Sequence, residues 1–162
     1  MDITIVGSGD AFGSGGRFQT CFRLHGDGHT VLVDCGATSL TALKSQGFDP
    51  GEVDLVALTH LHADHFGGLP FLILDGQFAR RSKRLTVAGP AGTATRVESA
   101  METAFPGSTS VQRRFDVDVV ELNGDGAGQR IGDVRVDSRE VDHPSVAPAL
   151  ALQARLGTRA FG

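Results

Sequence analysis

Thr59-His60-Leu61-His62-Ala63-Asp64-His65 packs three imidazoles and one carboxylate into six residues. Imidazole nitrogen and carboxylate oxygen are the donors that a borderline cation such as zinc prefers. The spacing points the same way as the composition. His60 and His62 are two apart, so an extended backbone projects both to one side. Asp64 and His65 are adjacent and diverge toward a second position unless the chain turns sharply there. One short loop can thereby offer two donors to one metal ion and two to a neighbour. The alternative is a polar loop that happens to be rich in His, and the density of the pattern argues against it.

The elements around this motif must hold it in place. Val53 to Leu58 is a short, mostly apolar run rich in β-formers and reads as a buried strand. The motif then falls at the strand's C-terminal end, where open α/β sheets place their ligands. Phe71 to Phe78 reads as a helix beginning beside Pro70, with Asp64 and His65 on the approach to it. Upstream, Asp2 to Val6 is a strand that runs into a Gly-Ser-Gly loop at residues 7–16. A dinucleotide site would need a helix directly after those glycines. Instead Gln19 to Leu24 looks extended, and a Gly26-Asp27-Gly28 turn leads to a second strand, His29 to Asp34, so the pattern is a hairpin. The glycine loop then forms one wall of an active-site groove. His25 and His29 flank the turn as surface residues.

Ser39 to Gly47 reads as a helix with a Gly stop, Leu85 to Pro90 as a buried strand, and Thr93 to Phe105 as a helix ended by Pro106-Gly107. Cations at Arg80, Arg81, Lys83 and Arg84 follow the Phe71–Phe78 helix and suit its negative end; an anionic substrate is the other use for them. Val117 to Leu122 and Val134 to Val141 alternate like strands around a Gly-rich turn at 124–128, and Ala147 to Leu156 reads as the next strand. The order fits half of a layered α/β/β/α sandwich.

The bulk properties set limits. The chain has 162 residues, enough for one domain (1–162), and no linker divides it. A net charge near −4 argues against a generic electrostatic grip on nucleic acid. No apolar run approaches a membrane-spanning length, and Met1-Asp2 leads straight into a strand, so the expected location is the cytoplasm. Cys21 and Cys35 are too few for a disulfide framework and read as structural thiols in a reducing setting.

His143 sits in Asp142-His143-Pro144, at the end of an alternating strand, and the proline biases it toward extended geometry. Taken alone it is one histidine among six. The His60-x-His62-x-Asp64-His65 pattern, the early Gly-Ser-Gly loop, Val33-Asp34-Cys35-Gly36 and Asp142-His143-Pro144 together resemble the metallo-β-lactamase superfamily, most of all its ribonuclease Z and phosphodiesterase branch. The resemblance implies a metallo-β-lactamase-type αβ/βα sandwich of the α/β class. It implies that His60, His62 and His143 hold one zinc, that Asp64 and His65 hold a second, and that Asp34 lies beneath them and orients a ligand imidazole. By the same likeness a hydroxide between the two ions is the nucleophile and Asp64 is catalytic, orienting it or taking its proton. Manganese or iron could stand in for zinc.

The implied function is zinc-dependent hydrolysis of a phosphodiester, small-molecule or nucleic acid. Two alternatives stay open: a non-catalytic metal-binding or interaction module keeping a mononuclear His site, and a thioester or lactone hydrolase on the same centre. The resembled enzymes carry a later bridging Asp and a further His, whereas this sequence has no His after His143 and no Asp after Asp142. The chain is therefore expected to be the front portion of a larger hydrolase, incomplete at its C-terminus, with a second metal position that by itself binds weakly and need not support activity. Such a front portion would expose an edge strand and an apolar face, which favours a homo-oligomer, a dimer in the simplest case.

Overall fold

The computed structural model describes residues 1–144 and 148–162. Strand β1 (Asp2–Gly7) pairs antiparallel with β2 (Cys21–Gly26), and β2 pairs with β3 (His29–Val33) in the expected hairpin. Asp27 and Gly28 make the two-residue turn with φ of 50° and 77°. Positive φ at both central positions is what a tight hairpin between right-twisted strands requires. From β3 onward the sheet is parallel: β3, β4 (Leu55–Ala57), β5 (Leu85–Gly89) and β6 (Val117–Glu121) lie side by side in chain order.

Helices make the crossovers. They are α1 (Ser39–Ser45), a short α2 (Ala63–Phe66) followed by α3 (Leu69–Phe78), and α4 (Thr93–Ala104). A second, antiparallel sheet has the order β10-β9-β8-β7, from β7 (Asp125–Ile131), β8 (Val134–Val141), β9 (Ala149–Leu156) and β10 (Arg159–Phe161).

Period-two alternation along the strands sorts the core into two layers. Leu32, Val56 and Val87 face the helices and pack with Leu43, Leu69, Ile73, Val97 and Met101. Val31, Val33, Leu55 and Ala88 face the second sheet and pack with Val134, Val136, Leu150, Ala154 and Leu156. The parallel strands are buried on both faces, which is why Leu55, Val56 and Ala57 read as a continuous apolar run. The result is three stacked layers, helices over sheet over sheet.

Four details differ from the sequence expectation. The Gly-rich stretch 124–128 is not simply a turn, because it carries the start of β7. Its glycines are tolerated there since β7 is an edge strand whose register shifts between Asp125 and Gly128, a bulge that relaxes the strand geometry. Accordingly β6 closes the first sheet while β8 belongs to the second. Strand β10 follows a two-residue turn at Gly157 and was not anticipated. The expected Ala147–Leu156 strand begins at Ala149, and Ala147 lies outside the described residues.

The basic run after α3 also resolves differently. Arg81 is buried, and its guanidinium donates to the carbonyls of Gly51, Val53, Lys83 and Arg84. It staples the loop before β4 to the loop before β5, at the N-terminal ends of the parallel strands. Neither a helix-end cation nor an anion-binding residue describes it.

Candidate metal centre

Parallel strands place all their C-terminal loops on one rim, and the donors collect there. The loop after β4 carries His60, His62 and, within α2, Asp64 and His65. The loop after β8 carries His143. A backbone hydrogen bond from Leu150 N to Thr59 O, 2.8 Å long, ties the second sheet to the motif loop. His60, His62 and His143 each present a ring nitrogen, and these atoms lie within 4.8 Å of one another. The ring of His60 is the hub, at 4.8 Å from that of His62, 4.5 Å from that of His143 and 4.0 Å from that of His65.

Local sequence explains the directions. Leu61 is buried between two histidines that face away from it, so the extended segment splits its side chains into core and rim. The chain does turn sharply after His62. Its ψ of 148° begins α2, where His65 N bonds back to His62 O at 2.9 Å. That turn swings Asp64 and His65 to one side together, and Asp64 Oδ2 lies 3.3 Å from His65 Nε2.

Asp34 lies beneath the cluster with 1% exposure and φ of 61°. The left-handed region is uncommon for a residue with a side chain, and Asp is among those that tolerate it. Its Oδ1 accepts from Thr59 N at 2.8 Å, and its Oδ2 accepts from His65 Nδ1 at 2.7 Å. Thr59 Oγ1 also donates to Asp34, at 2.9 Å from Oδ2, and lies 3.0 Å from His60 Nδ1. A hydroxyl has one proton to give, so with that proton on Asp34 the Thr59 oxygen accepts from His60 Nδ1–H. Both imidazoles are thus held with Nδ1 protonated and Nε2 free. One carboxylate sets the tautomer of His65 directly and of His60 through Thr59.

The electrostatics agree. Burial pushes the His60 imidazolium down to about 4, with the His65 and His143 rings adding to the effect. His65 behaves oppposite to burial alone: desolvation opposes its charged form, yet the hydrogen bond to Asp34 and the charges of Asp34 and Asp64 hold its pKa above the usual value. Burial likewise drives the Cys21 thiol up to about 12 and Cys35 well above its ordinary range, so neither supplies a thiolate to the centre.

Sequence reasoning assigned no role to Thr59, although it stands directly before His60. Nor did it single out Gly36 and Gly68. A Cβ at Gly36 would sit 2.1 Å from Asp64 O, and one at Gly68 2.2 Å from Gly36 O, so the motif loop and the Asp34 loop touch backbone to backbone. His25 and His29 stay away from the centre. His29 lies between Asp54 and Asp133 beside a recess of about 190 Å³ at the opposite end of the strands.

Residues 1–156 match the family described as anti-Pycsar protein Apyc1. Among curated relatives, ribonuclease Z of Agathobacter rectalis is 34% identical over 123 residues, covering 76% of this chain and 39% of that protein. Ribonuclease Z of Lachnoclostridium phytofermentans is 26% identical over 155 residues, covering 96% of this chain and 49% of its own length. The chain spans about half the length, or less, of these curated relatives. Human tRNase Z, short form, superposes with a TM-score of 0.78 at 22% identity, over 99% of this chain and 67% of that one. The metallo-β-lactamase fold protein YhfI from Bacillus subtilis gives 0.72 at 18% identity, over 98% and 60%. The architecture is the metallo-β-lactamase fold, of which this chain supplies mainly the N-terminal half.

Proposed function

This chain belongs to the family of the anti-Pycsar protein Apyc1, and we propose that its centre binds zinc and hydrolyses phosphodiesters. The observation that carries this reading is the cluster of His60, His62 and His143. Three imidazoles fit a catalytic zinc, which takes three protein donors and leaves a position open for water. The fold neighbours favour a divalent ion, and the ribonuclease Z relatives favour a phosphodiester substrate.

In this reading His60, His62 and His143 hold one ion, while Asp64 and His65 offer donors to a second. A bound divalent ion supplies Lewis-acid charge and lowers the pKa of a water at its open position. The protein's own part is positional. Asp34 and Thr59 keep the Nε2 lone pairs of His65 and His60 aimed outward, and Asp64 Oδ2 is placed to accept a proton on the exposed side of His65. Manganese or iron fits the same donors.

Bis(p-nitrophenyl) phosphate tests the reading. The zinc-loaded full-length form is expected to hydrolyse it, and His62→Ala is expected to bring the rate to baseline. No turnover with zinc saturating the site overturns the hydrolase reading and leaves a metal-binding module. Turnover of a thioester or lactone without the diester moves the chemistry to acyl transfer.

Two further expectations belong to the same proposal. On edge strand β1, Ile3 and Ile5 are exposed at 49% and 61% on one face of the sheet, an apolar strip beside an open edge that a second copy of the chain would cover. A monomer by sedimentation equilibrium overturns that homo-oligomer. Two buried free thiols fit a reducing, cytoplasmic compartment, and no helix among the described residues is long and apolar enough to cross a membrane.

A further inference from the structure

Period two in the second sheet sends Val134, Val136, Ala154 and Leu156 into the core, so Arg135, Asp137 and Arg155 face away from it. The pairing register sets three arginines of that outer face in one line. Arg130 of β7 lies directly opposite Arg135 of β8, and Arg135 lies directly opposite Arg155 of β9. Like charges in directly opposite positions work against strand pairing, yet here three guanidiniums follow one another across three strands. All three side chains are open to solutes, with exposures of 77%, 57% and 47%.

The row is held in place. Asp137 Oδ1 accepts from Arg135 Nε at 2.9 Å, and its Oδ2 accepts from Arg155 Nε at 3.1 Å. The hydrogen bond from Arg135, joined by the one from Arg155, holds the Asp137 carboxyl below its usual range. Arg130 Nε donates to Gly132 O at 3.1 Å, and its Nη2 donates to Asp133 at 3.3 Å. Strand β7 makes room for its neighbours. A Cβ on Gly128 would overlap Asp137 Oδ1 and Arg135 Nε, and one on Gly126 would come 2.9 Å from Arg139 Nη2. The glycines that weaken β7 as a strand thus let the arginines of β8 lie across its backbone.

Charge is left over. Asp137 is one carboxylate shared by two guanidiniums, so that trio keeps one positive charge. Each guanidinium has five N–H donors in a fixed fork. The bonds within the row, with one from Arg155 to Gln153 Oε1, occupy only one or two donors of each. Neighbouring strands are about 4.8 Å apart, so the three forks span about 10 Å in a line. Phosphate oxygens accept from such forks in pairs. A lone phosphate meets one fork or bridges two, whereas phosphoryl groups linked in a chain can meet all three.

We propose that Arg130, Arg135 and Arg155 form a binding site for a linear oligophosphate anion on the outer face of the second sheet. The row crosses β8 near its start, whereas His143 follows the end of that strand. The site therefore stands apart from the histidine cluster and does not depend on the phosphodiesterase reading.

Tripolyphosphate titrated into the full chain tests this, with arginine Nε–H and backbone amide signals followed by proton–nitrogen correlation NMR. The protein is kept metal-free, because oligophosphates also take up zinc. Saturable shifts are expected at Arg130, Arg135 and Arg155 and not at residues 60–65. Arg155→Gln is expected to weaken binding about tenfold or more, the loss typical of a hydrogen bond to a charged group. Arg17→Gln, on the loop after β1, is expected to change it by less than about twofold. Orthophosphate is expected to bind at least about tenfold more weakly than tripolyphosphate. No saturable binding, shifts confined to the histidine motif, equal affinity for orthophosphate, or equal losses in both variants overturns the proposal. A single-stranded oligonucleotide that occupies the row more tightly than tripolyphosphate also overturns it, because the face then belongs to nucleic acid.

Discussion

His65 Nδ1 lies 2.7 Å from Asp34 Oδ2, and the two residues are 31 positions apart in the chain. The carboxylate is nearly inaccessible to water, takes a left-handed backbone to reach the imidazole, and accepts from Thr59 at the same time. In the proposed centre such a buried anion would act through the imidazoles, deciding which nitrogen of each neighbouring ring is free to meet a metal ion.

Asp34→Asn removes the charge and keeps the shape, since Asn also tolerates the left-handed region. Zinc affinity, read by chelator competition, is expected to fall about 10- to 100-fold while the fold persists by circular dichroism. Unchanged affinity would show that Asp34 does not set the imidazole tautomers.

Thr59→Val removes the hydroxyl between Asp34 and His60 and leaves His60 Nδ1–H without its acceptor. About a tenfold loss of zinc affinity is expected, and Thr59→Ser is expected to restore it. If valine and serine behave alike, the hydroxyl relay has no part in binding.

Gly36→Ala forces a methyl group against Asp64 O and the Gln19 side chain. Backbone cannot yield there as a flexible side chain would, so a loss of about 1–3 kcal/mol in urea unfolding is expected. Metal uptake should weaken with it, because the displaced carbonyl belongs to a residue of the motif. Wild-type stability in this variant would contradict the close packing of the two loops.

The metal-free protein has a pH signature whose sign can be worked out. His60 titrates at about 4 in the fold and near 6.5 when unfolded. Between those values the unfolded chain binds more protons, so the contribution of His60 is complete above pH 6.5 and is lost as the pH falls toward 4. His65 runs the other way. Its raised pKa makes its contribution complete below 6.5 and lost as the pH climbs through the folded value. Thermal melts in chelator should show a midpoint that drops from pH 6.5 toward 4, and a flatter slope in His60→Gln. An unaltered slope in that variant would assign the acid lability to other groups.

The spacing within His60–His65, the alternation of the strands and the hairpin at Asp27-Gly28 were legible in the sequence, because each depends on residues a few positions apart. Side-chain direction in a strand repeats every two residues, and a tight turn needs particular backbone angles wherever it occurs. The resemblance carried by the motif extended that reading to the sandwich. What the sequence by itself left open was everything that depends on two distant segments meeting. The hydroxyl of Thr59 gains its place only when β3 and β4 lie side by side and Asp34 comes beneath it. Gly36 and Gly68 look like ordinary turn residues until the two loops are seen in backbone contact. The stretch 124–128 reads as a turn because glycine is a poor strand former, yet an edge position with a bulge accepts it. Arg81 reads as a helix-end cation, whereas the fold buries it among carbonyls that come from two loops. Local chemistry could name the donors, but only the packed sheets could decide which atoms of those donors face one another.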